Sequence, residues 1–135
     1  MGFPTNTHKI FLGDFNGDGK TDLLTSGNNV NWEIAYSMGN AFFSVPFSFN
    51  PTLNLNIHKL RTGDYNGDGK TDIFHGIFSF NLQKSIINIY YSTGNSFKSN
   101  QYLYNNNLTT MFSGDFNGDG KLDEINRFLF SAPIN

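Results

Sequence analysis

Cysteine is absent from this 135-residue chain, which excludes a disulfide framework and thiol chemistry and leaves the redox compartment open. No apolar run approaches the ~20 residues that a membrane-crossing helix needs, so insertion into a bilayer is not expected. The opening Met1-Gly2-Phe3-Pro4-Thr5 has no secretory pattern, so export is expected only if a signal lies elsewhere in a longer protein. Charge is scarce, at 15% of residues with a formal net of −2. With no basic run and no interleaving of basic and aromatic residues, nucleic acid is not an expected partner. Glutamate is nearly missing: Glu33 and Glu124 are the only two and belong to different elements, so no glycosidase-type carboxylate pair is visible. Helical periodicity is missing throughout.

Against that background the aspartates stand out. There are nine, and all lie in three copies of one stretch: Asp14-Phe15-Asn16-Gly17-Asp18-Gly19-Lys20-Thr21-Asp22, then Asp64 to Asp72, then Asp115 to Asp123. Acidic residues serving solubility would be scattered. Here they occupy positions 1, 5 and 9 of each copy, with Asn16, Asn66 and Asn117 at position 3. Like charges so close together repel unless a cation sits among them, and a donor set of oxygens with no His or Cys suits Ca²⁺ over zinc or copper.

Each position has a chemical reading. The carboxylates of Asp14, Asp18 and Asp22, the amide oxygen of Asn16 and the backbone carbonyl of Lys20 would converge on one ion. Asp64, Asn66, Asp68, Lys70 and Asp72 would do the same in the second copy, and Asp115, Asn117, Asp119, Lys121 and Asp123 in the third. Positions 4 and 6 are always glycine, which permits φ > 0 in a tight wrap. Each lysine is expected to turn its ammonium to water. The alternative for a single copy is an Asx-rich surface turn, since Asn, Asp and Gly are ordinary turn residues; three copies at one spacing favour the metal. An EF-hand would need a Glu at position 12 and flanking helices. Position 12 is Thr25, His75 or Asn126, and turn-bounded β-type residues follow.

The loops begin at Asp14, Asp64 and Asp115, a repeat of about 50 residues. A second marker keeps the same order: Tyr36-Ser37-Met38-Gly39-Asn40-Ala41-Phe42 matches Tyr91-Ser92-Thr93-Gly94-Asn95-Ser96-Phe97. The connection between loop and marker is longer in the second unit, around Ser79 to Lys84. Units of about 8–56, 57–107 and 108–135 follow, in one domain. Each full unit reads as four short strands. The first covers 8–15, 57–65 and 109–116, and the second 22–26, 71–78 and 122–129. The third covers 32–37 and 86–92, and the fourth starts near Phe42 and Phe97. Alternation of Trp32, Ile34 and Tyr36 with small or polar residues fits a half-buried strand.

Four antiparallel strands per repeat is the pattern of a propeller blade. The loop D-x-N-x-D-G-x-x-D followed by an apolar pair, with the Y-S-x-G-N-x-F turn, resembles the FG-GAP/VCBS repeat family, which includes the calcium-binding blades of integrin α-subunit propellers. That resemblance covers nearly the whole chain. It implies an all-β fold of propeller-type blades, two full and one half, with three Ca²⁺ held by the residues named above. Three such ions would turn the formal charge of −2 into about +4. A closed propeller needs more blades than this. The chain therefore reads as a partial propeller, with a ring completed by self-association of copies as the alternative.

Remaining candidates for chemistry reduce to structure. His8 and His58 recur at the same place at the start of the first strand and read as repeated edge residues, and His75 reads as a packed or surface residue. Ser37 and Ser92 have no His and Asp at a recurring spacing, so a hydrolase triad is absent. Trp32, Tyr36 and Tyr91 read as core aromatics, whereas Tyr90 falls on the opposite face and is the freer candidate for stacking on a sugar. The expectation is a non-enzymatic calcium-binding repeat module of an exported, extracellular or cell-surface protein, binding a protein or carbohydrate ligand in an adhesion or lectin-like role. The alternative is a scaffold propeller fragment of a larger secreted toxin (RHS- or Tc-like) or hydrolase.

Overall fold

In the computed structural model, residues 9–26, 32–47, 58–105 and 111–126 are described. Among them there is no helix, only strands: β1 (Lys9–Gly13), β2 (Asp22–Ser26), β3 (Trp32–Ser37), β4 (Phe42–Phe47), β5 (His58–Gly63), β6 (Asp72–Ser79), β7 (Lys84–Ser92), β8 (Phe97–Tyr104), β9 (Met111–Gly114) and β10 (Asp123–Asn126). The sheet orders are β1-β2-β3-β4 and β5-β6-β7-β8, with β9 and β10 as a two-stranded ribbon. Every pairing is antiparallel. The expected propeller-type blades are thus present twice, followed by the first hairpin of a third unit, and no sheet closes on itself.

Register explains why the Asp-rich loops sit where they do. Gly13 pairs with Asp22, Gly63 with Asp72 and Gly114 with Asp123, so each loop bridges the same point between the first two strands of its unit. His8, Ile57, Thr109 and residues 127–129, expected in strands, lie outside the described residues. β7 begins at Lys84 rather than Ile86, because the extra residues of the second unit extend the hairpin instead of forming a loose connection. Gln83 takes a φ of 56°, its side-chain amide donates to the Phe80 carbonyl at 2.7 Å, and the Leu82 N–H donates to Ser79 Oγ at 3.3 Å.

The main core lies between the two blades. Blade 1 contributes buried Phe15, Leu24, Trp32 and Ile34, and blade 2 contributes Ile73 and Tyr90; Phe11, Tyr36, Val45, Phe47, Leu60 and Phe97 pack against them. On its other face blade 2 buries Tyr65, Phe74, Ile87 and Ile89, with Tyr91, Tyr102, Tyr104 and Leu122 of the third unit alongside. Because both faces of blade 2 are covered, β7 loses the period of two: Ile87, Asn88, Ile89 and Tyr90 are all buried in succession. This corrects the reading of Tyr90. It does lie opposite Tyr91, but that face is the inter-blade face, leaving Tyr90 8% exposed with its ring edge-on to Phe47 at 5.3 Å. Trp32 is buried as expected, while Tyr36 and Tyr91 are half-buried, and the Tyr91 hydroxyl lies 3.2 Å from that of Tyr102. His75 is fully buried, a packed residue and not a surface one.

Candidate metal centre

Each loop is built around its first aspartate. Asp14 Oδ1 accepts the N–H groups of Gly17 at 2.8 Å and Asp18 at 3.1 Å, and Oδ2 accepts that of Gly19 at 2.8 Å. Asp64 does the same for Gly67, Asp68 and Gly69 at 2.8, 3.2 and 2.8 Å. Asp115 accepts from Asp119 at 3.0 Å and Gly120 at 2.9 Å. To aim successive N–H groups at one carboxylate the backbone must pass through the left-handed region. The glycines at positions 4 and 6 do so, with φ between 75° and 87° in all three loops.

Positions 3 and 5 form the second turn of the cradle. Asn16 Oδ1 and Asn66 Oδ1 accept the N–H of Asp18 and Asp68, each at 3.3 Å, and Asn117 Oδ1 accepts that of Asp119 at 3.2 Å. Asp18, Asp68 and Asp119 then accept the N–H of Lys20, Lys70 and Lys121, each at 2.9 Å. The Lys20 N–H holds the Asp18 carboxyl below its ordinary range, although burial opposes it. The lysine ammoniums are only partly given to water: Nζ of Lys20 lies 3.7 Å from Asp18 and Nζ of Lys70 3.9 Å from Asp68. Exposed pairs of this kind contribute little stability.

The ninth residue differs in being fully buried in all three loops, as Asp22, Asp72 and Asp123. Its Oδ2 accepts the N–H of position 2: Phe15 at 2.9 Å, Tyr65 at 2.9 Å and Phe116 at 3.1 Å. In the two full blades its Oδ1 accepts the N–H of Ser37 or Ser92, each at 2.8 Å. The residue expected to close the cage therefore also ties the loop to the end of the third strand. This gives a physical reason for the second sequence marker. Ser37 and Ser92 act as turn hydroxyls, accepting the N–H of Gly39 at 3.2 Å and Gly94 at 3.1 Å.

The donor set fits a hard cation in two of the loops. Carboxylate oxygens of Asp64, Asp68 and Asp72 lie within 4.8 Å of one another, as do those of Asp115, Asp119 and Asp123. Asp14, Asp18 and Asp22 do not reach that spacing, although their hydrogen bonds match those of loop 2 bond for bond. A carboxylate offers about four lone-pair sites. Asp72 uses two on backbone amides and Asp68 one, so capacity for a metal remains. Burial pushes the Asp72 carboxyl up to about 6; the N–H groups of Ser92 and Tyr65 oppose the rise, and the charges of Asp68 and Asp64 add to it. A buried carboxylate that costs energy to ionise beside two others is a place where a divalent ion relieves strain.

Two further recurrences join one loop to the next. The Thr71 N–H donates to the Asp14 carbonyl and the Leu122 N–H to the Asp64 carbonyl, both at 2.8 Å. A side chain on Gly13 would meet Thr71 Cγ2 at 2.5 Å, and one on Gly63 would run into the Leu122 methyl. The sequence reading missed both roles. The signal was present: glycine precedes the first aspartate in every copy, and position 8 is Thr21, Thr71 or Leu122.

Comparison with known proteins agrees with this geometry. No curated protein and no solved structure matches the chain. Residues 14–75, which run from the first loop through blade 1 into the start of β6, match the model of the FG-GAP-like repeat. Residues 14–75 are therefore similar to the FG-GAP-like repeat.

Proposed function

We propose that this chain is a non-enzymatic, calcium-stabilised repeat module of an exported protein, whose Asp-rich loops hold Ca²⁺ for a structural purpose. The observation that carries this reading is the convergence of Asp64, Asp68 and Asp72, repeated by Asp115, Asp119 and Asp123. Asn66 and Asn117 and the carbonyls of Lys70 and Lys121 complete the proposed donor sets, and Asp14, Asn16, Asp18, Lys20 and Asp22 form the third. When bound, the ion would neutralise the carboxylates. The chain's own part is to fix the loop and, through the ninth aspartate, the strand beyond it. Oxygen-only sites of this kind match the calcium levels found outside cells.

The role of such a rigid blade stack is to present a surface to a protein or carbohydrate ligand, in adhesion or lectin-like recognition. The loop aspartates accept backbone N–H groups, and Ser37 and Ser92 hold their turns, which supports a binding role over catalysis. Calorimetric titration of the chain with calcium, beside the Asp68→Ala variant, tests the metal. The expected result is saturable binding that loses one site in the variant; heat equal to that of dilution would overturn it. Binding of the calcium-loaded chain on a glycan array tests the carbohydrate version of the ligand.

A further inference from the structure

We infer that the chain docks head to tail on a second copy of itself, the exposed face of blade 1 seating on the third unit of its partner. One backbone hydrogen bond of the junction between the first two units recurs between the second and third units, and the described residues of blade 1 and of the third unit expose its two matching halves. At the first junction the Thr71 N–H donates to the Asp14 carbonyl, the Asp14 N–H donates to Thr71 Oγ1 at 2.8 Å, Thr62 Oγ1 donates to the Leu12 carbonyl at 3.2 Å and Ser92 Oγ donates to the Phe15 carbonyl. At the second, the Leu122 N–H donates to the Asp64 carbonyl and its side chain packs over Gly63.

The matching groups at the two ends are exposed. Position 2 of the loop is fully buried as Phe15 and 2% exposed as Tyr65, where a following unit covers it, but 52% exposed as Phe116. At the head, the residues of blade 1 equivalent to Leu60, Thr62 and Phe97 are Ile10, Leu12 and Phe42. Leu60 and Phe97 pack into the inter-blade core, whereas Ile10, Leu12 and Phe42 are 54%, 61% and 56% exposed. Thr21, which is exposed, stands at the position of Thr71, and Ser37, which is half-buried, at the position of Ser92. Docking the head on the tail would give the Thr21 N–H the Asp115 carbonyl, a third instance of that backbone bond, and Ser37 Oγ the Phe116 carbonyl, a second instance of the Ser92 contact. Such a contact is heterologous, so it propagates beyond a dimer into a ring or an open filament. It rests on backbone and apolar complementarity and stands apart from the metal reading.

Sedimentation velocity on the full chain over a range of concentrations in calcium buffer tests this with two variants. The head variant carries Leu12→Asp and Phe42→Asp, and the tail variant carries Phe116→Arg. All three positions are exposed, and retention of the β-sheet circular dichroism and melting temperature verifies that the variants fold. Wild type is expected to form species larger than a dimer, and each variant alone to sediment as a monomer. An equimolar mixture is expected to give a one-to-one dimer and nothing larger, because one head and one tail remain intact. A monomeric wild type at every concentration, a variant that still assembles, or a mixture that stays monomeric would overturn the proposal.

Discussion

Asp14 and Thr71 hold each other through two hydrogen bonds of 2.8 Å, the Asp14 N–H to Thr71 Oγ1 and the Thr71 N–H to the Asp14 carbonyl. One residue opens the first Asp-rich loop and the other stands next to last in the second. The loops are therefore joints between successive repeats as well as candidate ion sites, and a change in one loop is transmitted to its neighbour through backbone.

Replacing Thr71 with Val keeps the shape and the N–H but removes the oxygen that the half-buried Asp14 N–H uses. A loss of about 1–2 kcal/mol in unfolding free energy is expected from a donor left without its acceptor. Urea unfolding of the two proteins measures it. Equal midpoints would show that water replaces the hydroxyl at no cost.

Asp72→Asn is a sharper test of the ninth position. Asp72 accepts the N–H of Tyr65 on one oxygen and of Ser92 on the other. An asparagine offers one acceptor and turns an NH₂ toward the second donor. The expected cost is about 1–3 kcal/mol without calcium, from the unsatisfied buried amide. Loss of the loop 2 ion should add to it. Chemical denaturation in chelator and in calcium separates the two effects.

The pH dependence follows from the same carboxyl. In the folded, metal-free chain burial pushes Asp72 up to about 6, above the ordinary carboxyl value of 3.8. Its folded form thus binds protons more readily than its unfolded form. The stability it contributes is complete below about pH 4 and is lost as pH rises through about 6. In chelator, unfolding free energy should rise from this group as pH falls from 7 to 5, and the rise should vanish in Asp72→Asn. In calcium the ion competes with that proton, so the gain in melting temperature on adding calcium should shrink over the same interval.

Tyr90→Ala tests the inter-blade core. Tyr90 is buried among Ile73, Phe15 and Trp32 with Phe47 edge-on to its ring. Truncating a buried aromatic of this size costs about 3–5 kcal/mol. A surface aromatic reserved for a ligand would cost almost nothing, so thermal unfolding of the variant discriminates the two roles.

Most of the architecture was legible because local chemistry and tertiary demand coincide. The loops declare themselves through Asp, Asn and Gly at fixed offsets, and their repetition set the period. The alternation of Trp32, Glu33 and Ile34 gave β3 its bounds. Tyr90 was misread because the period of two identifies faces without saying what covers them. In β7 both faces are buried, one against blade 1 and the other against Leu122 of the third unit, with Tyr102 and Tyr104 of β8 beside it. The hydrogen bonds between repeats were hidden for a related reason. Gly13 and Thr71 are 58 positions apart, and only the stacking of blades brings a glycine without a Cβ against that threonine.

If a divalent ion in the Asp-rich loops holds the blades together, the melting temperature of the chain differs between chelator and ~1 mM calcium. With a Kd of roughly 0.1 mM, each occupied loop adds about 1.4 kcal/mol, on the order of 4 kcal/mol for three. A rise of several degrees, reduced by Asp68→Ala and again by Asp119→Ala, is the predicted result. Superimposable melting curves with and without calcium would contradict it.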